Sequence, residues 1–492
     1  MNTHSLNCAH AAPRPEDENL GLGANLAYGL QHVLTMYGGI VAVPLIVAEA
    51  AGMPASDTGL LITACLFMGG VATLLQTLGI PFFGSRLPLV QGVSFAGVAP
   101  MVSLLQTGGG MQGILGAVMA RAVLALLIAP VFSKVTRFFP PLVNGCVITV
   151  IGLSLIPVAA HWAMGGNARA ADYGSMGNIA LAGIALVTVL VLSKLGNAAI
   201  SRLSILLSIV IGTLVAALLG KADFSQVAQG AWFAIPAPLH FGWPVFNAAA
   251  ILSMFIVILV ILVETSADVL AVGDIVGTRV DSRRLGDGLR ADMLSSIVAP
   301  LFGSFTQSAF AQNVGLVAVT GVKSRFVVAY SGLILIALGV LPVMGRVVAC
   351  VPPSVLGGAG LVLFGTVAAS GIRTLSKVDY QNNMNLIVVA TSVGAGLIPV
   401  VAPRFYAQFP DWFATIFHSG ISATALVAIV LNLLFNHFKR GNSDQQSVFV
   451  AASDRTLSAH VLASLYDGDV VIDGKLYDKN GRLVPVAGAH AH

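Results

Sequence analysis

Apolar runs of about twenty residues, separated by short polar joints, repeat along the chain, and each can cross a hydrocarbon core of about 30 Å as a helix. They lie at 25–48, 59–80, 112–133, 141–160, 178–195, 203–220, 246–273, 325–345, 354–372, 384–401 and 416–437. Three further apolar segments, 88–104, 292–306 and 311–321, are shorter. The last is the most telling: Gln312-Asn313-Val314-Gly315, closing at Thr320-Gly321, sets two carboxamides and flexible glycines into apolar surroundings. It reads as half a helix. A broken helix at membrane depth survives only where protein buries it or where it lines a cavity, and such helices build the sites of secondary transporters. Counting the three short segments as crossings gives fourteen spans.

The distribution of charge supports that count. Starting from a cytoplasmic N-terminus, fifteen lysines and arginines of the connecting segments fall inside, from Arg86 and Lys134 through Arg279, Arg283, Arg284 and Arg290 to Lys439 and Arg440. Only Arg169, Lys221, Arg346 and Arg404 fall outside. This is the positive-inside bias, and deleting any one crossing would scramble every loop after it. Composition agrees: 56% of the 492 residues are hydrophobic, 9% are charged and the mean hydropathy is +0.88, against about 25% charged residues in soluble domains. The net charge of +4 arises from basic residues scattered between apolar runs, which argues against a nucleic-acid surface. Cys8, Cys65, Cys146 and Cys350 form no CxxC pair and mostly sit in apolar spans, so they read as packing residues. Residues 1–20, a polar segment expected in the cytoplasm, have no apolar h-region, so the first span is expected to remain as a membrane helix. A polar tail, 441–492, is also expected in the cytoplasm; within it Asn480-Gly481 between apolar flanks signals a hairpin, with an unstructured tail as the alternative.

Punctuation recurs along the chain. Phe83-Gly84-Ser85 returns as Phe302-Gly303-Ser304, Gln91 as Gln312 and Pro140-Pro141 as Pro352-Pro353, at offsets of 219, 221 and 212 residues. Near-equal offsets suggest a duplicated unit. A unit of seven spans must insert its second copy upside down, giving an inverted repeat. The expected fold is therefore an all-α polytopic membrane protein with fourteen transmembrane segments as seven plus seven. The short broken segments 3 and 10, Leu87 to Pro100 and Ser308 to Thr320, would face each other across a pseudo-twofold axis, their positive dipole ends converging near mid-membrane.

Glu264 sits inside the apolar run Ile251–Gly273, with Asp268 one helical turn further on. A carboxylate at membrane depth is a functional hypothesis by default; the alternative is a protonated acid donating one hydrogen bond between helices. Glu264 and Asp268 share a helical face. In a low-dielectric cavity their repulsion favours keeping a proton on the pair, as proton coupling requires. Asp292 opens the ninth segment and is read equally as a helix cap or as part of the coupling apparatus. His32, after Gln31, can change charge near neutral pH, or serve as a neutral core histidine on a backbone carbonyl. Ser94 and Phe95 follow Gln91-Gly92 in the first half helix. Hydroxyl, aromatic face and carboxamide together suit a flat heterocycle, with Phe95 stacked on the ring and Gln312 and Glu264 satisfying its imide and amide edges. Taken alone, Phe95 would be ordinary packing. Neither an HExxH metal pair nor a GxSxG nucleophile elbow occurs, which argues against an enzyme, and no metal or cofactor is expected beyond a proton gradient as driving force.

Over about residues 20 to 440 the chain resembles the nucleobase–ascorbate transporter family of secondary carriers. The family signature, an amide or acid followed by Asn-x-Gly-x-x-x-x-Thr, is matched by Gln312, Asn313, Gly315 and Thr320. Gln31-His32, Gln91-Gly92-Val93-Ser94-Phe95, Glu264-Thr265-Ser266-Ala267-Asp268 and Gly288-Leu289-Arg290-Ala291-Asp292 support the match. The resemblance implies a core domain of spans 1–4 and 8–11 (21–135 and 246–346) and a gate domain of spans 5–7 and 12–14 (136–225 and 350–438), with brief extended strands in segments 3 and 10. It also implies a homodimer in membrane lipid and proton symport by elevator-like movement of core against gate. Glu264, Gln312, Phe95, Ser94 and Asn313 are then expected at the substrate, and Asp268, Asp292 and His32 in coupling or in shaping the site.

Within the family the chain looks similar to bacterial urate and xanthine permeases. Uracil-type members carry an acid at the first signature position and His four residues after the glutamate, where this chain has Gln312 and Asp268. Ser94 stands where xanthine-restricted members have Asn, and the smaller side chain leaves room for the C8 oxygen of urate. Asp268 departs from some urate-selective relatives, which are apolar there. The expectation is import of urate and xanthine across the inner membrane, with both termini cytoplasmic. The alternatives are a xanthine-only or broader purine permease and, from another class, an anion channel or exchanger of the same architecture.

Overall fold

The hydrophobic runs fold as helices whose ends follow local chemistry, in a computed structural model that describes residues 14–129, 132, 140–197, 200–201, 203–222, 224–225, 227, 231–380, 383–437, 470–472 and 475–477. The first half comprises α1 (Leu22–Ala50), α2 (Ala55–Leu78), β1 (Gln91–Val93), α3 (Val98–Gln106), α4 (Gly110–Ile128), α5 (Pro141–Ala163), α6 (Met176–Leu195) and α7 (Ser204–Leu218). The second comprises α8 (Ala248–Val276), α9 (Ser282–Val298), β2 (Gln307–Ala309), α10 (Ala311–Thr320), α11 (Arg325–Gly339), α12 (Pro342–Ala349), α13 (Pro353–Leu375), α14 (Asn383–Val401), α15 (Asp411–Phe417) and α16 (Gly420–Asn432). Prolines open α5, α12 and α13, where the missing N–H would have had no helical partner. Ser175, Asn247, Asp281 and Ser419 cap α6, α8, α9 and α16 through their side chains. Among the described residues eight helices are long and apolar enough to cross a membrane, or nine if the bent pair α11 and α12 forms one span. The chain is a mostly helical, multi-pass membrane protein.

Three segments differ from their hydropathy reading. The ninth is not a short stretch beginning at 292: α9 starts at Ser282, where Asp281 Oδ1 accepts a hydrogen bond from Arg284 N at 2.8 Å, and ends in a 3-10 turn, Ala299–Phe302. Asp292 therefore lies in mid-helix and caps nothing. The run at 325–345 bends by 78° between α11 and α12, because Pro342 excludes helical backbone from Leu341 before it. The run at 416–437 divides between α15 and α16 and ends in a π turn, Leu433–His437.

The two strands pair antiparallel, with Gln91 opposite Ala309, Gly92 opposite Ser308 and Val93 opposite Gln307. Ser94 N donates to Thr306 O at 2.9 Å and Phe310 N to Val90 O at 3.1 Å, extending the ladder at both ends. Each strand is pinned in the same way: Gln91 N donates to Thr73 Oγ1 and Gln307 N to Ser296 Oγ, both at 2.9 Å. Gln307 is thus the structural counterpart of Gln91, and Gln312 lies five residues beyond it. The helices α5 and α13 pack antiparallel through small residues. A Cβ on Gly152 would lie 2.2 Å from Ala368 N, and one on Gly371 2.3 Å from Thr149 N, so the backbones touch.

A separate unit contains β3 (Val470–Ile472) and β4 (Lys475–Tyr477), paired antiparallel with Ile472 opposite Lys475. Asn480-Gly481, where the sequence signals a hairpin, lies outside the described residues, along with residues 1–13 and most of 441–492.

Candidate functional site

Where the strands end, the chain turns into two short helices. Ser94 follows β1 and caps a 3-10 turn, Phe95–Gly97, its Oγ accepting from Ala96 N at 3.3 Å; α3 continues from that turn. After β2, Phe310 leads into α10, whose first turn has no side-chain cap and so keeps N–H groups available to a ligand. The Phe310 ring lies in a slot that only glycine leaves open: a Cβ on Gly39 would lie 2.8 Å from it and one on Gly92 2.6 Å.

Between these ends lies a cavity of about 310 Å³, within the range of small-molecule sites. Ser94 and Phe95 form one wall, Ser308, Phe310 and Gln312 another, and Glu264 reaches it from α8. Ile148 and Ile151 of α5, with Thr366, Ser370 and Arg373 of α13, close the remaining side. Phe95 meets Phe364 edge-on at 6.1 Å between ring centres, which holds its ring against α13.

Of the residues singled out in the sequence, the structure brings Ser94, Phe95, Glu264 and Gln312 together at the cavity. Asp268, one turn along α8 from Glu264, lies within electrostatic reach of both Glu264 and Asp292 on α9. Asp292 is 1% exposed, with Thr265 beside its carboxyl. The three acids thus form a cluster leading away from the cavity. Asn313 does not line the cavity: its Nδ2 donates to His32 O at 3.0 Å and lies 3.1 Å from His32 Nδ1, with both residues buried. That pair ties α10 to α1. On a helix, neighbours in sequence point about 100° apart, so Gln312 faces the cavity while Asn313 faces α1.

Other lining residues escaped sequence reasoning. Thr366, Ser370 and Arg373 share one face of α13 at helical spacing, a signal available in the sequence but shared by many apolar helices. Arg121 is a sharper omission. Fully buried in α4, it donates from Nη1 to Met254 O at 3.1 Å and from Nη2 to the Oγ1 of Thr306, the same residue whose carbonyl receives Ser94 N. An arginine in the middle of an apolar run was its signal.

Residues 23–405 match the profile of the Permease family. The uric acid transporter UacT of Escherichia coli (strain K12) is 40% identical over 432 residues, covering 87% of this chain and 89% of that protein. The xanthine permease of Bacillus subtilis (strain 168) is 39% identical over 431 residues, covering 88% and 98%. Uric acid permease PucJ of the same strain is 38% identical over 433 residues, covering 87% and 96%. Among solved structures, the transmembrane domain of a cyanobacterium bicarbonate transporter, BicA, superposes with a TM-score of 0.53 at 16% identity, covering 84% of this chain and 98% of that one. The murine Slc26a9 anion transporter in its inward-facing state gives 0.58 at 13%, covering 86% and 69%. Those two share the fold; the permeases share nearly their whole sequence length. The chain belongs to the nucleobase–ascorbate transporter family, whose members are permeases, not enzymes, and need no cofactor.

Proposed function

We propose that this protein is a proton-coupled symporter importing urate and xanthine across the inner membrane. The cavity carries this reading: an aromatic face, a hydroxyl, a carboxamide and a carboxyl surround a space sized for one flat bicyclic ring. Such a purine presents N–H donors and carbonyl acceptors around its rim. Glu264 accepts from adjacent N–H groups, the Gln312 amide meets a carbonyl and an N–H, and Phe95 covers the ring face. The relatives named for uric acid and xanthine support this substrate class.

Protons enter through the acid cluster. Three carboxyl groups at membrane depth, with Asp268 in reach of both Glu264 and Asp292, are suited to passing protons along the row, so that binding of substrate at Glu264 and protonation of the cluster become linked. Asp268 and Asp292 act in coupling, while His32 and Asn313 shape the site by joining α1 to α10.

Alternating access follows from a fourteen-span, seven-plus-seven inverted repeat, for which the mirrored strand pinning gives support. The strands, α8 and α10 belong to the core, whereas α5 and α13 belong to the gate, so the cavity lies on the seam between them. Sliding the core along the gate carries substrate across. Arg373 and Ile148 stand near the helix ends that charge bias assigns to the cytoplasm, which supports an inward-facing state. Both termini are cytoplasmic, and the working form is a homodimer.

Competition for labelled xanthine uptake tests the substrate. Excess urate is expected to compete strongly and uracil not at all; xanthine uptake indifferent to urate would sink the dual specificity in favour of a xanthine-only carrier. Ser94→Asn is expected to lower urate uptake about tenfold while sparing xanthine, the scale set by a steric change in a close-fitting pocket. Equal loss of both would remove the steric argument.

A further inference from the structure

A second cavity, of about 500 Å³, lies where the α2–β1 loop, the α8–α9 loop and Arg14 meet. Five arginines line it, Arg14, Arg86, Arg279, Arg283 and Arg284, against two acids, Asp281 and Asp287. Both acids are already engaged. Asp281 caps α9, and Asp287 Oδ1 pairs with Arg290 Nη2 at 2.7 Å. Arg284 is engaged too, donating to Glu16 Oε1 at 2.7 Å and to Ser85 O at 2.6 Å. Arg14, Arg86, Arg279 and Arg283 have no carboxylate within ion-pair distance among the described residues. Four uncompensated guanidinium groups around one cavity repel one another, and an anion of more than one charge would relieve that repulsion.

The rim is apolar and the loop is strained. Ile80 and Phe82 are 51% and 59% exposed. Phe82 and Arg86 adopt φ of 71° and 54°, left-handed values uncommon outside glycine. Non-glycine residues persist there when the surroundings hold them, and they gather at ligand clamps and active sites. All five arginines come from segments that charge bias assigns to the cytoplasmic side, where acidic lipids supply phosphate groups at the membrane boundary.

We propose that this cavity binds a phosphate-bearing anion. Guanidinium forks match phosphate oxygens in pairs. Ile80 and Phe82 offer a surface for an acyl chain, which favours the headgroup of an acidic phospholipid over a soluble phosphate. The site is separate from the carrier cavity and does not depend on which purine is carried.

Thermal unfolding of the purified full chain in detergent, with added phosphatidylglycerol, phosphatidylcholine or inorganic phosphate, tests it. Phosphatidylglycerol is expected to raise the midpoint and phosphatidylcholine to leave it unchanged. The double variant Arg279→Gln/Arg283→Gln, whose lost groups make no ion pair in the fold, is expected to need about thirtyfold more phosphatidylglycerol for the same shift, from about fivefold per charge. Inorganic phosphate acting in place of the lipid, with the same loss in the variant, supports the site and identifies a soluble ligand. A response to neither phosphate source beyond that to phosphatidylcholine, or an undiminished response in the double variant, overturns the proposal. Gel filtration establishes that the variant is folded, and Arg404→Gln, at an exposed position away from the cavity, serves as the control expected to match the parent.

Discussion

Glu264→Gln is expected to abolish uptake of both xanthine and urate while the protein remains in the membrane at parental abundance. Glu264 is the acid of α8 that reaches the cavity, which Ser94 and Phe95 also line. A purine rim rich in N–H groups needs an acceptor there. Glutamine would turn an N–H donor toward part of that rim and cannot exchange a proton with Asp268. Hydrogen bonds to a charged group contribute about 1.5–3 kcal/mol, or roughly tenfold to 150-fold in affinity, and loss of coupling removes accumulation on top of that. Initial uptake rates, set against an immunoblot of the membrane fraction, measure the effect. Uptake within twofold of the parent would show that the carboxyl is a packing group. Gln312→Ala is expected to weaken uptake in the same direction without removing the acid.

Gly152→Leu is expected to eliminate the folded carrier. A Cβ there would lie 2.2 Å from Ala368 N, a backbone atom that cannot rotate aside, so α5 and α13 would have to separate along their length. Overpacking a close contact costs about 1–3 kcal/mol even where side chains can yield, and backbone contact between membrane helices leaves less room still. Because Ile148, Ile151, Thr366 and Ser370 on these helices line the cavity, separating them would also open the site. Gly365→Leu on α13 provides the matched control, since nothing lies within 4 Å of its added Cβ. Size-exclusion profiles of the two variants should differ sharply, with Gly365→Leu monodisperse and Gly152→Leu aggregated or absent. A monodisperse Gly152→Leu protein melting with the parent would mean the two helices do not pack as described.

How far the site could be read from the chain depended on what each residue had to contrast with. Gln312 and Glu264 stand out because a carboxamide or carboxyl inside an apolar run is costly to bury without a partner, even where a single hydrogen bond between helices is the alternative. Hydropathy puts Asp292 at a helix start because the polar opening of α9, Ser282-Arg283-Arg284, carries no hydropathy signal, although Asp281 caps it by ordinary chemistry. Residue type matches Gln91 to Gln312, whereas strand pairing and the hydroxyl clamps match it to Gln307; register depends on contacts between segments more than two hundred residues apart. Asn313 shares its signature with Gln312, and only the packing of α10 on α1 shows that the two side chains part company. Thr366, Ser370 and Arg373 join the site from another helix altogether, through the antiparallel seating of α13 on α5.

A density map of the purified protein in lipid with xanthine added would show where the purine sits. A flat ligand is expected against the Phe95 ring, its rim toward Glu264 and Gln312, within the cavity between the two strand ends. Xanthine bound elsewhere in a protein that transports it, with that cavity closed or lined by other side chains, would contradict it.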